Sequence, residues 1–408
     1  MTDVFILSAA RTPVGSFGGS LSGLGPIDLA THVVKAAIAR AGVEAGRIGT
    51  SVFGHVLNTE PRDMYLSRVA AINAGMAEGA VAMNVNRLCG SGAQAIVSAA
   101  QMLMLGDADM ALAGGAECMS RAPYILQAAR FGQKMGDTKA LDMMTGALTC
   151  PFGTGHMGIT AENVAAEGGI SREDQDAFAL ESQSRAARAI AEGRFVDQIA
   201  PVELAGRKGT VSFAVDEHPK ATTAEALAGL RPAFQKDGTV TAGNASGIND
   251  GAAALVLAHG KALGGLTPLA RLMGYAVAGV APRVMGLGPI PAVQKLCDRL
   301  GMQATDFDVV ESNEAFAAQA IAVQRGLGLD PARVNPNGGA VALGHPVGAT
   351  GAIITTKALY ELARTGGKTA LVTMCIGGGQ GIALAIERVC PLTQTHRRAG
   401  GATKSINH

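Results

Sequence analysis

Asn84-Val85-Asn86-Arg87-Leu88-Cys89-Gly90-Ser91-Gly92 decides how the rest of the chain is read. An apolar run, residues 81–85, leads into it with strand character. Residues 93–105 leave it with helical character, broken only by Gln94 and Gln101, and stop at Gly106. A strand that turns on glycines straight into a helix is the elementary step of an α/β fold. Working outward, the same alternation covers about the first 120 residues, with strands expected at 4–8, 52–57 and 110–113 and helices at 27–41 and 62–74. A similar order returns after about residue 250. Strands are expected at 252–258, 269–276, from 309, at 370–375 and at 382–386, and helices at 290–300, 315–325 and 349–362. Asn335-Pro336-Asn337 precedes a second glycine-bearing turn into a helix, as Asn84-Val85-Asn86 does. The repetition points to an internal duplication, with two similar α/β halves facing each other.

Residues 120–250 break this rhythm. A capping box, Ser171-x-x-Asp174, opens a charged amphipathic helix that runs to Gly193, among stretches rich in Met, Gly and Pro. Apolar anchors persist throughout, so the segment is expected to be an inserted lid or binding region. The organisation expected is therefore a first half over 1–119, an insert over 120–250, a second half over 251–390 and a frayed polar tail over 391–408.

The composition sets bounds. A chain of 408 residues is too long for one ordinary core. With 48% hydrophobic residues, no Trp and 4% aromatics, its core must be built from small aliphatic side chains. The 55 glycines follow no collagen-like period and cluster between apolar runs, where backbone approaches backbone or ligand. A formal net charge of +1 gives no electrostatic case for nucleic acid or an anionic membrane. The longest apolar stretches fall short of a bilayer span, and the N-terminus enters a strand with no signal-peptide pattern, so a cytoplasmic location is expected. None of the six cysteines forms a C-x-x-C pair and no two histidines have helical metal spacing, so neither a metal site nor a disulfide framework is expected.

Four segments could carry chemistry. Cys89 stands at a helix start, where the positive end of the helix dipole favours thiolate, and Gly90 and Gly92 leave room for a substrate. The alternative for any single cysteine here is a small buried hydrophobe. His345 lies in a glycine-rich approach to a helix in the other half. If the halves are related by an approximate two-fold, this imidazole meets Cys89 and can activate it, whereas a lone loop histidine more simply caps a turn. Cys375 ends an apolar strand ahead of Gly377-Gly378-Gly379, whose N–H groups could face a developing oxyanion. A dinucleotide fingerprint fails there because a strand follows, not a helix. Asn313, at a strand-to-helix passage, has by itself the character of an N-cap.

Together these segments resemble the thiolase family, over residues 3 to 388. The motifs are Arg11-Thr12-Pro13, the turn from Leu88 to Gly92, Gly155-His156-Met157-Gly158, Ala242-Gly243-Asn244-Ala245-Ser246-Gly247, Asn313-Glu314-Ala315-Phe316, Gly344-His345-Pro346 and Cys375-Ile376-Gly377-Gly378-Gly379. Glu60-Pro61-Arg62-Asp63-Met64-Tyr65 is most similar to bacterial β-ketothiolases, some of which feed polyhydroxyalkanoate synthesis. The resemblance implies two βαβαβαββ halves in a layered α-β-α-β-α core with an inserted loop domain. It implies reversible condensation of two acyl-CoA molecules and thiolysis of 3-ketoacyl-CoA. Cys89 would hold the acyl group, His345 would take its proton, and Cys375 would move the α-carbon proton. Asn313, through a water, would help His345 hold the enolate oxygen, and the N–H groups of Cys89 and Gly377 would hold the acyl oxygen.

Coenzyme A would enter as substrate, with no tightly bound cofactor. Its contacts would come from Leu148, His156, Met157, Lys220, Phe234, Ala242, Ser246, Met285, Ala315 and Phe316. Lys220 stands where many relatives have Arg, and Cys118 where Ser is usual, a neutral buried exchange. A homo-oligomer is implied, either a dimer or a tetramer built as a dimer of dimers. Two other readings fit the same fold. A ketosynthase would lack the second catalytic cysteine, and a non-catalytic acyl-CoA or lipid carrier would not need Cys89, His345 and Cys375 together.

Overall fold

The computed structural model describes residues 3–206 and 209–389. The first half runs β1 (Val4–Arg11), α1 (Pro26–Ala41), β2 (Thr50–Gly54), α2 (Leu66–Asn73), β3 (Val81–Val85), α3 (Ser91–Leu105) and β4 (Met110–Cys118). After an insert whose long helices are α4 (Met157–Gly168) and α5 (Arg172–Ala191), the chain returns as β5 (Asn249–His259). The second half runs β6 (Ala270–Gly279), α6 (Pro289–Leu300), β7 (Val309–Ser312), α7 (Ala317–Leu327), α8 (Thr350–Thr365), β8 (Thr369–Ile376) and β9 (Gln380–Arg388).

Strand pairing makes the duplication explicit. In the first half β1 lies antiparallel to β5 and β5 antiparallel to β4, after which β2 and β3 add in parallel. In the second half β6 lies antiparallel to β9 and β9 antiparallel to β8. Then β7 adds in parallel, and a parallel bridge from Val310 to Val334 stands in the place of β3. The halves join edge to edge where Phe5 faces Arg271 and Ile6 faces Ala270. One expectation is corrected here. The strand after residue 250 does not open the second half. It closes the first, because a strand buried along nearly its whole length needs neighbours on both edges and finds them in β1 and β4.

The helices divide into three layers. α3 and α8 fill the space between the two half-sheets, where Ile96, Leu103, Ile353 and Leu359 share one apolar cluster with Val4, Leu255, Val372 and Leu384. α1 and α2 cover the outer face of the first half through Leu29, Val33, Leu66 and Ala70. α6 covers that of the second through Val293 and Leu296. This is the expected α-β-α-β-α order. The expectation that every apolar stretch falls short of a bilayer span is corrected, since Leu88–Leu105 is long and apolar enough to cross a membrane. Its helix α3 is instead the central layer, apolar because it is enclosed by sheets and by α8.

Two local departures have physical causes. The expected helix over 62–74 is a 3₁₀ turn, Pro61–Tyr65, followed by α2, because the Asp63 carboxylate draws in the N–H groups of Thr59 and Glu60 and tightens the entry. β4 continues through Gly114 and Gly115 to Cys118, where the sequence suggested a stop at 113. Those glycines leave the strand intact and make room, since a Cβ on Gly115 would strike the backbone of Gly348. The insert is tied down by a buried ion pair. Arg11 donates to both carboxylate oxygens of Asp216 at 2.7 and 2.9 Å and lies over the ring of Phe195. The capping box at Ser171 forms as expected. The expected tail over 391–408 lies outside the described residues, as does Cys390.

The halves approach closely between the first turns of α3 and α8. Ser91-Gly92-Ala93 and Thr350-Gly351-Ala352 meet reciprocally. A Cβ on Gly92 would sit 2.7 Å from the nitrogen of Ala352, and one on Gly351 would overlap the nitrogen of Ala93. Replacing Gly351 with Ala is expected to lower the unfolding free energy by about 2 kcal/mol or more, since a methyl forced between two backbones cannot be absorbed by a rotamer change. Gly46→Ala, whose added carbon meets open space, serves as the control. Equal urea midpoints for the two variants would show that the crossing has slack.

Candidate active site

The turn from β3 to α3 presents Cys89. Leu88 is held at a φ of 46°, in the left-handed region that is costly for a branched residue. The surrounding hydrogen bonds hold it there: the Ser91 hydroxyl donates to the Leu88 carbonyl at 2.6 Å and accepts from the Arg87 N–H at 2.9 Å. Asn86 Oδ1 accepts from the Leu88 N–H at 2.9 Å. Cys89 itself is half-buried against the central cluster. Burial pushes its thiol above the ordinary value; the N–H of Gly377 and its own N–H pull the other way, and Glu117 adds to the rise. The pull of the helix start toward thiolate at Cys89 is therefore opposed by its burial. Desolvation wins, and the sulfur needs a base.

His345 sits on the loop that leads into α8. Its N–H donates to Asn249 Oδ1 at 2.9 Å, and Asn249 Nδ2 donates to the Gly15 carbonyl at 3.0 Å, so the loop is moored to β5 and to the segment after β1. Its ring orientation follows from one hydroxyl. Thr350 Oγ1 donates its single proton to the Pro346 carbonyl at 2.8 Å, so its 2.6 Å contact with His345 Nδ1 must be one in which the imidazole donates. Nδ1 thus carries the proton, and Nε2, which has no hydrogen-bond partner among the described residues, is a bare acceptor. Burial lowers the pKa of this imidazole to about 4, so it is neutral at neutral pH.

Cys375 ends β8, fully buried in an apolar cluster with Met157, Met285 and Phe316. Burial drives its thiol far above the ordinary value, and the nearby Cys89 sulfur adds to the rise. At rest it holds its proton. Asn313 follows β7 and is not an N-cap, since α7 begins at Ala317 and Gln319 Oε1 accepts from the Ala315 N–H at 3.1 Å instead. The Asn313 carboxamide is buried with neither its oxygen nor its nitrogen paired among the described residues. A buried amide with nothing to bond is costly, and such cost is kept where a ligand group is to be met.

A cavity of about 270 Å³ gathers the site. Its wall includes Cys89, His345 and Gly377, and from the expected coenzyme A set Leu148, His156, Met157, Phe234, Ser246, Met285, Ala315 and Phe316. His156 caps α4 by accepting the Gly158 N–H at Nδ1, stacks on Phe234 with 4.8 Å between centroids, and has its pKa lowered by burial. The segment with Ser246 is fastened to the one with Phe316, as the Ser246 N–H donates to the Ala315 carbonyl and the Ala317 N–H to the Asn244 carbonyl. Lys220 and Ala242 lie off this wall, and Asn313 and Cys375 are likewise not on it. Sequence reasoning did not assign Val56, Leu88, Met119, Ala147, Ala245, Ile248 and Val347, which add to the apolar lining. Of these, Leu88 and Val347 carried a signal as neighbours of the reactive residues. Cys118 is buried, as expected.

A family model described as thiolase, N-terminal domain, matches residues 4–261, and one described as thiolase, C-terminal domain, matches 266–388. The beta-ketothiolase BktB of Cupriavidus necator is 58% identical over 391 residues, covering 95% of this chain and 99% of that protein. The acetyl-CoA acetyltransferase of Escherichia coli is 50% identical over 394 residues, covering 95% and 100%. Among solved structures, the acetyl-CoA acetyltransferase of Bacillus anthracis superposes with a TM-score of 0.93 at 45% identity, covering 95% of this chain and 99% of its own. Human mitochondrial 3-ketoacyl-CoA thiolase in complex with CoA does so with 0.91 at 44%, covering 95% and 98%. With both family models matched in order across nearly the whole chain, this protein belongs to the thiolase family.

Proposed function

We propose that the chain is a β-ketothiolase, an acyl-CoA C-acyltransferase that cleaves 3-ketoacyl-CoA with coenzyme A and, in reverse, condenses two acyl-CoA molecules, as in acetyl-CoA to acetoacetyl-CoA. The observation that carries the reading is the locked tautomer of His345, a neutral imidazole with a bare Nε2 on the wall of the cavity that Cys89 also lines. Coenzyme A serves as substrate, and no tightly bound cofactor takes part.

The three groups close a proton cycle in the thiolysis direction. His345 Nε2 takes the Cys89 proton, and the thiolate attacks the 3-keto carbonyl, whose oxygen is held by the N–H groups of Cys89 and Gly377. The C2–C3 bond breaks with its electron pair passing to C2. The resulting enolate oxygen is held by His345 Nε2–H and, through a water, by Asn313. Cys375 gives its proton to C2 and acetyl-CoA leaves. The enzyme now holds an S-acyl Cys89, an imidazolium and a Cys375 thiolate. Coenzyme A enters, passes its thiol proton to Cys375 and attacks the acyl carbon, and the departing Cys89 sulfur recovers its proton from His345. Each group ends as it began. The forms favoured by burial, two thiols and a neutral imidazole, are those the cycle requires at rest.

The insert over 120–250 is assigned to coenzyme A, which is supported by Leu148, His156, Met157, Phe234 and Ser246 on the cavity wall. Lys220 and Ala242, off that wall, are assigned to the outer end of the same ligand. A homo-oligomer, dimer or dimer of dimers, is supported by the exposed Val81 and Met83 on edge strand β3 and by the exposed Tyr124, Phe131 and Met135 in the insert. We assign the enzyme to the cytoplasm.

Cys89→Ser is expected to lower acetoacetyl-CoA thiolysis at least about 10³-fold, since an alcohol is a far weaker acid than a thiol and this base activates it far less well. Thiolysis at the normal rate in that variant would end the assignment. Cys375→Gly is expected to accept an acetyl group on Cys89 from acetyl-CoA, seen as an adduct by mass spectrometry, while carbon–carbon cleavage falls about 10²- to 10⁴-fold. Absence of the adduct would count against the separate roles. The pH dependence follows from His345. Its folded pKa is lowered, so the neutral base persists as pH falls below 6.5 and is lost only toward about 4. Acetylation of Cys89, followed while circular dichroism confirms the fold, should keep its rate between pH 7 and 5; an acid limb centred near 6.5 would show that the base is a solvated histidine.

A further inference from the structure

Glu117, near the end of β4, has no part in the proton cycle, yet it is wholly buried. Its Oε2 accepts from the N–H groups of Val56 and Gly348 at 3.0 and 2.9 Å, and its Oε1 accepts from that of Leu57 at 3.1 Å. His55 Nδ1, which donates to the Ala116 carbonyl at 2.9 Å, stands 3.4 Å from Oε1. Val56 and Leu57 belong to the half that carries Cys89. Gly348 belongs to the loop that carries His345, and lies between it and Thr350, whose hydroxyl orients the imidazole. The fit leaves no slack, because a Cβ on Gly348 would run into the Glu117 carboxylate. The two segments gathered by this carboxylate, and the strand end that carries it, each put an apolar side chain on the cavity wall, namely Val56, Val347 and Met119. A carboxylate, an acceptor on both oxygens, suits a cradle of three N–H groups; a carboxamide must turn its own N–H groups toward one of them.

We propose that Glu117 is a positioning residue: by tying the backbones of Val56, Leu57 and Gly348 together across the two halves, it sets the reach of the His345 imidazole to the Cys89 sulfur. The inference rests on the assignment of Cys89 as nucleophile and His345 as its base. Glu117→Gln and Gly348→Ala disturb the same contact from opposite sides. Acetoacetyl-CoA thiolysis by each is to be measured per Cys89 that iodoacetamide can alkylate, so that misfolded protein is not counted. The expected result is a kcat lowered about 10- to 100-fold, with a much smaller change in the KM for acetoacetyl-CoA and for coenzyme A, because the change misplaces the base while Leu148, His156, Phe234 and Ser246, assigned to coenzyme A, lie on other segments. Either variant alone decides. A kcat per reactive Cys89 within about twofold of the unaltered enzyme, even with a lowered melting temperature, would overturn the proposal and leave Glu117 a stabilising group only. If the unaltered enzyme formed no acyl Cys89 from acetyl-CoA, the nucleophile assignment would fall instead.

Discussion

The contact on which the site depends is the reciprocal packing of Gly92 on Ala352 and of Gly351 on Ala93, where two helix starts touch backbone to backbone. No side chain separates them. The turn that ends in Cys89 and the loop that holds His345 therefore emerge beside each other from opposite halves of the molecule. The free N–H ends of both helices also converge there, in the region where oxygen must bear negative charge during acyl transfer. Gly54 and Gly115 extend the same close fit into β2 and β4, each facing Gly348. A larger residue at any of these points would part the halves and, with them, the thiol and the imidazole.

Burial is the second organising effect, and it acts on all the reacting groups in a consistent sense. It keeps Cys89 and Cys375 as thiols and His345 as a neutral ring. In a dry site each group is held uncharged until a partner takes or gives a proton, so charge arises only in pairs. The pull of the helix dipole toward thiolate at Cys89 is outweighed for this reason. A turn in isolation carries the dipole, but desolvation is a property of the closed cavity and cannot be seen in a local stretch of sequence.

Much of the fold was legible because small aliphatic strands and helices with glycine stops alternate regularly, and α1, β3, α3, α6, β8 and β9 fall within two residues of where periodicity puts them. What was misjudged depended on partners distant in the chain. β5 has the pattern of any buried strand, and only its pairing with β1 and β4 assigns it to the first half. Gly114 and Gly115 looked like a strand end, but they stay in the strand, where Gly114 admits the Phe53 ring and Gly115 the Gly348 backbone. In the site, Cys89, His345 and Cys375 announced themselves through glycine-rich turns. Val56, Met119 and Val347 did not, since an apolar wall residue has no chemical mark of its own.

The sequence by itself determined the α/β class, the doubling of the fold and the residue types available for acyl transfer. These follow from local periodicity and from the short-range chemistry of turns, which act within a few residues. Only the tertiary structure decided which nitrogen of His345 is bare, which groups stay neutral, and that Glu117 joins Val56 to Gly348. Those outcomes depend on desolvation in the closed cavity, on how the loop before α8 brings Thr350 to the His345 ring, and on hydrogen bonds between segments as distant as Glu117 and Gly348.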